Sequence, residues 1–342
     1  MPVYQTGIRK DDHIRINLRE DVSFDQLTTG FERYQFIHQT LPEFDLDAVD
    51  TTTAFLGHPL AFPLLIASMT GGTEWAGRIN RTVAEIAQAF GIGMGLGSMR
   101  AVLEKPDTVS TFQVRPYAPD ILLLANLGAI QLKYGYGPDE CRRLVELVEA
   151  DGLFLHLNPL QEALQPEGNT HFAGLLRHIE AVCKVLEVPV IVKEIGGGLS
   201  TRAARMLVDA GVAALDVSGA GGTSWSQVEM HRGENSVQRE VAAAFRDWGI
   251  PTAQSLLMVH KTAPEIPLIA SGGLRTGLGI AKALALGADV TTMAAAILQA
   301  AAESPQALHD RVEVIRRQLR ITMFACGASD IAALKNTPLV QF

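Results

Sequence analysis

The chain has 342 residues, of which 47% are hydrophobic and 19% charged, a composition that suits a globular protein with a large core and argues against disorder. The formal net charge of −8 excludes a global basic field, so we expect neither nucleic acid nor a membrane surface as a partner. Cys141, Cys183 and Cys326 are widely spaced, which supports neither a disulfide framework nor a thiolate metal site. The N-terminus lacks an apolar signal core, and no run approaches the ~18 apolar residues of a membrane span, so the sequence predicts a cytoplasmic protein.

The first 53 residues do not follow the pattern of the rest of the chain. We predict that residues 1–53 form an N-terminal extension with a charged arm at Arg9–Arg19, and that residues 54–342 form one domain. That domain contains eight short apolar runs, and continuous rather than alternating apolarity is typical of strands buried on both faces of a parallel sheet. The runs are Ala61–Ala67, Ile92–Leu96, Ile121–Asn126, Gly152–His156, Pro189–Lys193, Ala214–Ser218, Pro267–Ala270 and Asp289–Met293.

Amphipathic helices are predicted between these runs. Apolar residues recur at helical spacing over Ile79–Phe90, and Gly91 follows where a C-terminal cap belongs. Ser200 can cap a later helix that Gly211 closes. Eight βα units in series close most simply into an α/β (β/α)₈ TIM barrel, and a doubly wound open sheet is the alternative.

Polar residues or glycines end, or directly follow, seven of the apolar runs. In a (β/α)₈ barrel the active site lies at the C-terminal ends of the strands, so these positions are candidates for function. One polar strand end is routine, but seven are hard to explain by packing. They are Ser68-Met69-Thr70, Ser98, Asn126, His156-Leu157-Asn158, Lys193-Glu194, Ser218 and Gly272-Gly273.

Three turns rich in small residues indicate a phosphate site. The segment Ser271–Gly277 follows the seventh run and precedes a helix, whose N-terminus adds partial positive charge. Met293–Ala296 closes the eighth run, and Gly219–Trp225 follows the sixth at the start of the longest connection, which we expect to be mobile or to cover a substrate. Glycines let backbone N–H groups approach a phosphate, so together the turns predict a mononucleotide cofactor. The alternative is tight turns without a ligand.

Three further features are open to two interpretations each. Lys193 in the barrel mouth could face a flavin ring and stabilise its reduced form, or pair with Glu194 or another carboxylate. Glu162 could hold Mg²⁺, or be a solvated surface residue. Arg9 and Lys10 could belong to a solvated arm or meet an anionic substrate.

Six motifs, in order over nearly the whole chain, resemble type 2 isopentenyl-diphosphate isomerase. Each motif alone is moderately specific, and the set is highly specific. They are Arg9-Lys10-Asp11-Asp12-His13, Ser68-Met69-Thr70-Gly71-Gly72, Gly97-Ser98-Met99-Arg100, His156-Leu157-Asn158-Pro159-Leu160-Gln161-Glu162, Ser218-Gly219-Ala220-Gly221-Gly222-Thr223-Ser224-Trp225 and Gly272-Gly273-Leu274-Arg275-Thr276-Gly277.

The resemblance implies an isomerase that interconverts isopentenyl and dimethylallyl diphosphate, with reduced FMN as acid and base, Mg²⁺ on Glu162 and NAD(P)H only to reduce the flavin beforehand. We also expect a homo-oligomer, a tetramer or octamer. The implied catalytic residues are Gln161, His156 and Lys193. The implied FMN contacts are Ala67, Ser68, Met69, Ser98, Asn126, Lys193, Ser218, Thr223, Gly272, Gly273, Leu274, Arg275, Ala294 and Ala295. The implied diphosphate contacts are Arg9, Lys10, Ser98, Met99, Arg100, His156, Asn158 and Gln161.

Two segments depart from the family's pattern. Asn169 stands where the family has an acid, which leaves the role of an acid there in doubt, and Gly196-Gly197-Gly198 replaces an aromatic-containing segment.

Competing functions fit the residues less well. A 2-hydroxy-acid oxidase needs a His base, and none follows the seventh run; a nucleotide dehydrogenase needs a Cys after the sixth, and none is there. A non-catalytic flavin-binding barrel would not need Arg100 and Glu162 together with the basic arm.

Overall fold

A computed structural model describes residues 3–342 of the chain, with side chains from Lys10 onward. The strands are β1 (Tyr34–Phe36), β2 (Thr53–Phe55), β3 (His58–Leu60), β4 (Leu64–Ile66), β5 (Gly93–Gly95), β6 (Leu123–Gly128), β7 (Gly152–His156), β8 (Val190–Lys193), β9 (Ala214–Asp216), β10 (Leu268–Ala270), β11 (Val290–Met293) and β12 (Leu339–Gln341). The helices are α1 (Val3–Arg19), α2 (Glu74–Phe90), α3 (Arg100–Glu104), α4 (Pro138–Val148), α5 (Pro159–Leu164), α6 (Leu175–Val185), α7 (Thr201–Asp209), α8 (Trp225–Arg232), α9 (Ser236–Ala243), α10 (Thr252–Thr262), α11 (Gly277–Ala285), α12 (Ala295–Glu303), α13 (Pro305–Ala325) and α14 (Ile331–Lys335).

Strands β4 to β11 form a closed parallel barrel. They pair in chain order, and β11 closes the ring against β4 through the register Thr291↔Leu64. Seven of the eight apolar runs contain one barrel strand each, and β7 has the bounds predicted for it; β6 begins inside the run Ile121–Asn126 and extends two residues beyond it to Gly128. The (β/α)₈ barrel is therefore confirmed, and the doubly wound open sheet is excluded.

Local sequence signals set the ends of the surrounding helices. The Thr73 side chain accepts a hydrogen bond from the Ala76 N–H at the start of α2, and Gly91 ends that helix with a φ of 61°. Ser200 accepts from the Ala203 N–H at the start of α7. A capped end satisfies backbone groups that would otherwise lack partners, so these caps determine where each helix begins or ends.

The N-terminal extension is folded against the barrel. Its charged arm forms α1, which contacts α3, α8 and α12 and buries the side chains of Ile14 and Ile16. Strand β1 pairs antiparallel with β12 at the other end of the chain. The arm is thus not a solvated tail, although the domain boundary after residue 53 stays a prediction. Within residues 3–342, no helix is both long and apolar enough to cross a membrane.

The long connection after β9 is ordered rather than irregular. It contains α8 and α9, and α8 contacts both α5 and α1. The expectation that this segment is mobile or covers a substrate stays a prediction, and Trp225 at the start of α8 lines the cavity described below. What composition did not reveal is that two short helices occupy the segment.

Candidate active site

A cavity at the C-terminal ends of the barrel strands collects nearly every predicted site residue. The side chain of Arg9 lies outside the described residues. The Met99 side chain is fully buried in the core, and its N–H donates to the Asn126 carbonyl, so this residue does not line the cavity. The predicted residues that do line it are Lys10, Ala67, Ser68, Met69, Ser98, Arg100, Asn126, His156, Asn158, Gln161, Glu162, Lys193, Ser218, Thr223, Gly272, Gly273, Leu274, Arg275, Ala294 and Ala295.

The glycine turns pack directly on one another at one side of this cavity. A Cβ on Gly272, whose φ is +99°, would lie 2.0 Å from the carbonyl oxygen of Gly219. A Cβ on Gly273 would lie 2.5 Å from the oxygen of Gly221, and one on Gly222 would lie 2.6 Å from the Gly273 nitrogen. Here the glycines allow backbone to touch backbone between the loops after β9 and β10. The result is a cavity wall built largely of main-chain groups, against which the Thr29 side chain also packs, since its Cγ2 would lie 2.4 Å from a Cβ on Gly273.

The same side of the cavity presents groups suited to an anion. Ala294 and Ala295 line it at the start of α12, and no side chain caps that helix. An uncapped N-terminus offers free N–H groups and the positive end of the helix dipole. Ser68 also lines the cavity, and its buried hydroxyl has no hydrogen-bond partner among the described residues. A phosphate group would satisfy both features.

One layer of the barrel carries ionisable side chains from three neighbouring strands. His156 on β7 is in register with Lys193 on β8, which is in register with Asp216 on β9. Burial lowers the pKa of Lys193 and raises the pKa of Asp216, and the attraction between their opposite charges opposes both shifts. The Lys193 ammonium donates to the main-chain oxygen of Glu194 at 2.6 Å.

Glu194 itself is not the hydrogen-bonding carboxylate for Lys193. Its Oε2 accepts from the N–H groups of Ile195, Gly196 and Gly197 at 2.6, 3.0 and 2.6 Å, so it holds the glycine segment after β8. Burial raises the pKa of Glu194, and these backbone hydrogen bonds oppose the rise. If Lys193 pairs with a carboxylate, as one of its two interpretations holds, that carboxylate is therefore Asp216, which the sequence analysis did not single out.

Amide and carboxylate groups after β7 form a second polar side of the cavity. The Asn158 amide nitrogen donates to Gln161 Oε1 and to Glu162 Oε1, both at 3.0 Å. Glu162 is buried rather than solvated, and its other oxygen accepts from the Asn169 main-chain N–H at 2.5 Å. Asn169 thus supports Glu162 through its backbone, a contact that an acid in its place could make equally well.

Glu229 on α8 is a buried carboxylate that contacts three other side chains, and the sequence analysis did not predict it. Its carboxylate accepts from the Gln161 amide at 2.8 Å and from Arg232 at 2.5 Å, and lies 3.5 Å from the His13 imidazole. Burial alone would raise the pKa of Glu229, but its contacts with His13, Arg232 and Gln161 outweigh burial and lower it. Arg232 also bonds Glu167 at 2.7 Å. Arg232 lies only three residues from Glu229, but Gln161 and His13 come from distant parts of the chain, so no local pattern shows that this carboxylate is buried at the cavity.

The arm helix α1 closes one side of the cavity. The Lys10 ammonium donates to the Ser98 main-chain oxygen at 2.7 Å and lies 5.0 Å from the centre of the Phe112 ring. Further along the helix, His13 contacts the Trp225 ring edge to face at 5.2 Å. These contacts hold the arm at the cavity, which Lys10 and His13 both line.

Sequence comparison identifies the family. A family model described as FMN-dependent dehydrogenase matches residues 10–117 and 160–341. A protein of Nostoc sp. named isopentenyl-diphosphate delta-isomerase is 52% identical over 337 residues, which cover 98% of this chain and 96% of the relative. The chain belongs to the FMN-dependent, type 2 isopentenyl-diphosphate delta-isomerase family. A second isomerase so named, from Rickettsia felis, is 53% identical over 331 residues, covering 97% of this chain and 96% of the relative. The predicted isomerase family is confirmed.

Solved structures agree on the fold of this isomerase family member. A lactate oxidase from Pediococcus acidilactici covers 98% of this chain and 94% of its own, with a TM-score of 0.67 and 16% identity. A mandelate oxidase solved with benzoyl-formic acid aligns with a TM-score of 0.66 and 18% identity, over 99% of this chain and 98% of that one. At this identity the likeness concerns the barrel architecture alone.

Proposed function

We propose that the protein interconverts isopentenyl and dimethylallyl diphosphate, with reduced FMN as acid and base and with Mg²⁺ to hold the diphosphate. The observation that carries the proposal is that one cavity combines a phosphate-suited backbone wall with a separate polar side of amides and a carboxylate. A non-catalytic flavin-binding barrel would not need the second polar side. The family relationship supports the same function.

The backbone wall fits FMN. Three short turns of small residues can cradle one terminal phosphate, and no Rossmann fingerprint accompanies them, which favours FMN over FAD. When bound, the reduced flavin would supply a group that donates and accepts a proton without net redox change. Lys193 would face it as a fixed cation. The proposed contacts are those predicted above, namely Ala67, Ser68, Met69, Ser98, Asn126, Lys193, Ser218, Thr223, Gly272, Gly273, Leu274, Arg275, Ala294 and Ala295.

The polar side fits a diphosphate and its metal. Mg²⁺ prefers one or two carboxylates, with water and substrate phosphate completing its shell, and Glu162 provides one carboxylate. The buried Oδ1 of Asn158 has no hydrogen-bond partner among the described residues and is a free acceptor beside it. The proposed diphosphate contacts are Arg9, Lys10, Ser98, Met99, Arg100, His156, Asn158 and Gln161, of which Met99 could contribute only through its main chain.

The chain's own groups would position the reacting atoms. Asn126 Oδ1 lies 2.8 Å from His156 Nδ1 and fixes the orientation of that ring. Glu229 fixes the amide of Gln161 in the same way. With α1 over the mouth, Ile14 and Trp225 line the cavity with apolar surface that excludes water and suits a prenyl chain. On this basis we assign His156, Gln161 and Lys193 to the catalytic set. We further propose that NAD(P)H reduces the flavin beforehand. The active form would be a cytoplasmic homo-oligomer, a tetramer or octamer.

The assay is double-bond migration. Protein reconstituted with FMN, reduced and supplied with Mg²⁺ and isopentenyl diphosphate in D₂O should form dimethylallyl diphosphate that carries deuterium, detected by NMR. Protonation of the alkene by a solvent-exchangeable group requires that incorporation. No product from a preparation with full flavin occupancy would reject the proposed reaction.

Glu162→Gln should raise the Mg²⁺ concentration needed for half-maximal activity by about tenfold or more while leaving FMN affinity unchanged. The amide oxygen lacks the charge that a hard cation prefers. Mg²⁺ titrations of activity, with FMN affinity measured in parallel, check this. The matched control is Glu180→Gln, an exposed carboxylate on α6. Superimposed titration curves for Glu162→Gln and the parent would remove Glu162 from the metal site.

Lys10→Ala should raise the KM for isopentenyl diphosphate by about tenfold or more, because the arm loses both a charge for the diphosphate and its hydrogen bond to the Ser98 oxygen. Trypsin should also cut the variant faster at Arg15 and Arg19, since α1 is held by few buried residues. Substrate with Mg²⁺ should slow cleavage of the parent. Lys184→Ala, on the exposed face of α6, is the control. Unchanged KM and unchanged cleavage would separate the arm from substrate binding.

A further inference from the structure

We propose that Asp216 is a positioning residue whose buried carboxylate keeps Lys193 charged and directed at the cofactor side of the cavity. Asp216 ends β9 and is fully buried, behind the residues that line the cavity. It is in register with Lys193 on the adjacent parallel strand. Side chains in register on neighbouring parallel strands point to the same face, so the carboxylate and the ammonium both point into the barrel.

The hydrogen bonds of the Asp216 side chain connect two loops of the cavity, those after β9 and β10. Its Oδ1 accepts from the Ser271 hydroxyl at 2.5 Å and from the Ser218 N–H at 3.1 Å. Ser218, Ser271 and Lys193 all line the cavity, and they follow or end β9, β10 and β8 respectively. A carboxylate held by two donors is pre-organised to act as a fixed negative charge behind these three residues.

The second carboxylate oxygen of Asp216 indicates which group its negative charge faces. Oδ2 is buried and has no hydrogen-bond partner among the described residues. A buried carboxylate oxygen without a partner is costly, so it requires a compensating charge nearby. Lys193 is that charge, because the Glu194 carboxylate is already engaged by three backbone N–H groups of its own loop. The other ionisable groups near the pair are Glu194, whose negative charge also opposes the fall in the pKa of Lys193, and His156 on β7, which is in register with Lys193.

The consequence concerns the flavin. Without Asp216, burial would act on the Lys193 ammonium with less opposing attraction, and the pKa of Lys193 would fall further. A lysine that loses its proton within the working pH range no longer stabilises a negatively charged reduced ring. Asp216 therefore sets the pH range over which the site favours the reduced cofactor, without touching the cofactor itself. This inference rests on the proposed binding of FMN.

The test is the reduction potential of bound FMN between pH 6 and 10 in the parent, Asp216→Asn, Lys193→Met and the double variant. In the plot of reduction potential against pH, deprotonation of Lys193 should cause an inflection. We expect this inflection to move to lower pH by about one unit or more in Asp216→Asn. Lys193→Met should lack the inflection, and adding Asp216→Asn to it should change nothing further. Ser271→Ala, which removes one donor to Oδ1, should shift the inflection in the same direction by less.

The outcomes separate this inference from the proposed function. An Asp216→Asn profile that coincides with the parent's overturns the role of Asp216, and so does an effect of Asp216→Asn that persists in the Lys193→Met background. If Asp216→Asn does not fold, the Ser271→Ala profile decides: a shift supports the role and a parental profile overturns it. A parent that binds FMN and isomerises isopentenyl diphosphate keeps the proposed function in either case. A parent that takes up no FMN overturns both.

Discussion

Gly272→Ala should abolish stable FMN binding. The added Cβ would lie 2.0 Å from the Gly219 oxygen, closer than any real contact, and the residue has a φ of +99° that side chains rarely adopt. The two loops would have to separate, at a cost of about 3 kcal/mol from overpacking and strain. Because these loops form the backbone wall that we propose to bind the FMN phosphate, we expect FMN affinity to fall by about 100-fold or more. Fluorescence titration of FMN measures it.

Gly57→Ala is the control for the conformational part of this effect. Gly57 also has a positive φ, of +83°, but nothing lies within 4 Å of the Cβ it would gain, in the turn between β2 and β3. It should lower the melting temperature slightly and leave FMN affinity unchanged. If Gly272→Ala bound FMN as tightly as Gly57→Ala does, the backbone wall would not be the phosphate site.

Glu229→Gln should both destabilise the protein and slow turnover. The carboxylate is buried and bonded to Arg232 and Gln161, so a neutral replacement leaves Arg232 with one carboxylate fewer, at a cost of about 3 kcal/mol. Gln161 loses its charged acceptor, and we expect kcat to fall by about tenfold or more. Thermal unfolding and steady-state kinetics measure the two effects. Glu240→Gln, an exposed carboxylate on α9, is the matched control.

The free energy of unfolding at acid pH gives an independent check on the charge of Glu229. The pKa of Glu229 is below its ordinary value of 4.5 in the folded protein, so folding favours the charged form. The stability that Glu229 contributes is fully present above the pKa that this group has in the unfolded chain. It is lost as the pH falls through the lower pKa that the group has in the folded protein. Glu229→Gln should therefore be less stable than the parent near neutrality, and the difference should narrow below about pH 4.5. A constant difference down to the pH of acid unfolding would contradict the assigned charge of Glu229.

The sequence predicted the barrel and most of the cavity because those features are local. A buried parallel strand reads as a short apolar run, and its end is marked by the first polar residue, as at His156 and Lys193. Helix caps such as Ser200 depend on residues three positions apart. Since a barrel brings all its strand ends to one face, a correct fold places these side chains together.

What could not be predicted depends on contacts between distant segments. Glu229 meets Gln161 across 68 residues of chain, and only the packing of α8 on α5 brings them together. Asp216 lies within a run that reads as a strand, and nothing local shows that its carboxylate faces Lys193. The sequence left open whether the arm is solvated or meets an anionic substrate, and it did not predict that Ile14 and Ile16 of α1 are buried. Burial of two isolated apolar residues cannot be inferred without the surface they meet.

The cavity is proposed to catalyse isomerisation rather than oxidation, and one paired assay tests this most directly. A single FMN-loaded preparation is divided. One half is reduced anaerobically and given isopentenyl diphosphate with Mg²⁺; the other is left oxidised in air and given lactate or mandelate. We predict dimethylallyl diphosphate from the first half and no oxygen consumption from the second. Oxygen consumption with a 2-hydroxy acid, together with no isomer from the reduced half, would contradict isomerisation as the function of this cavity.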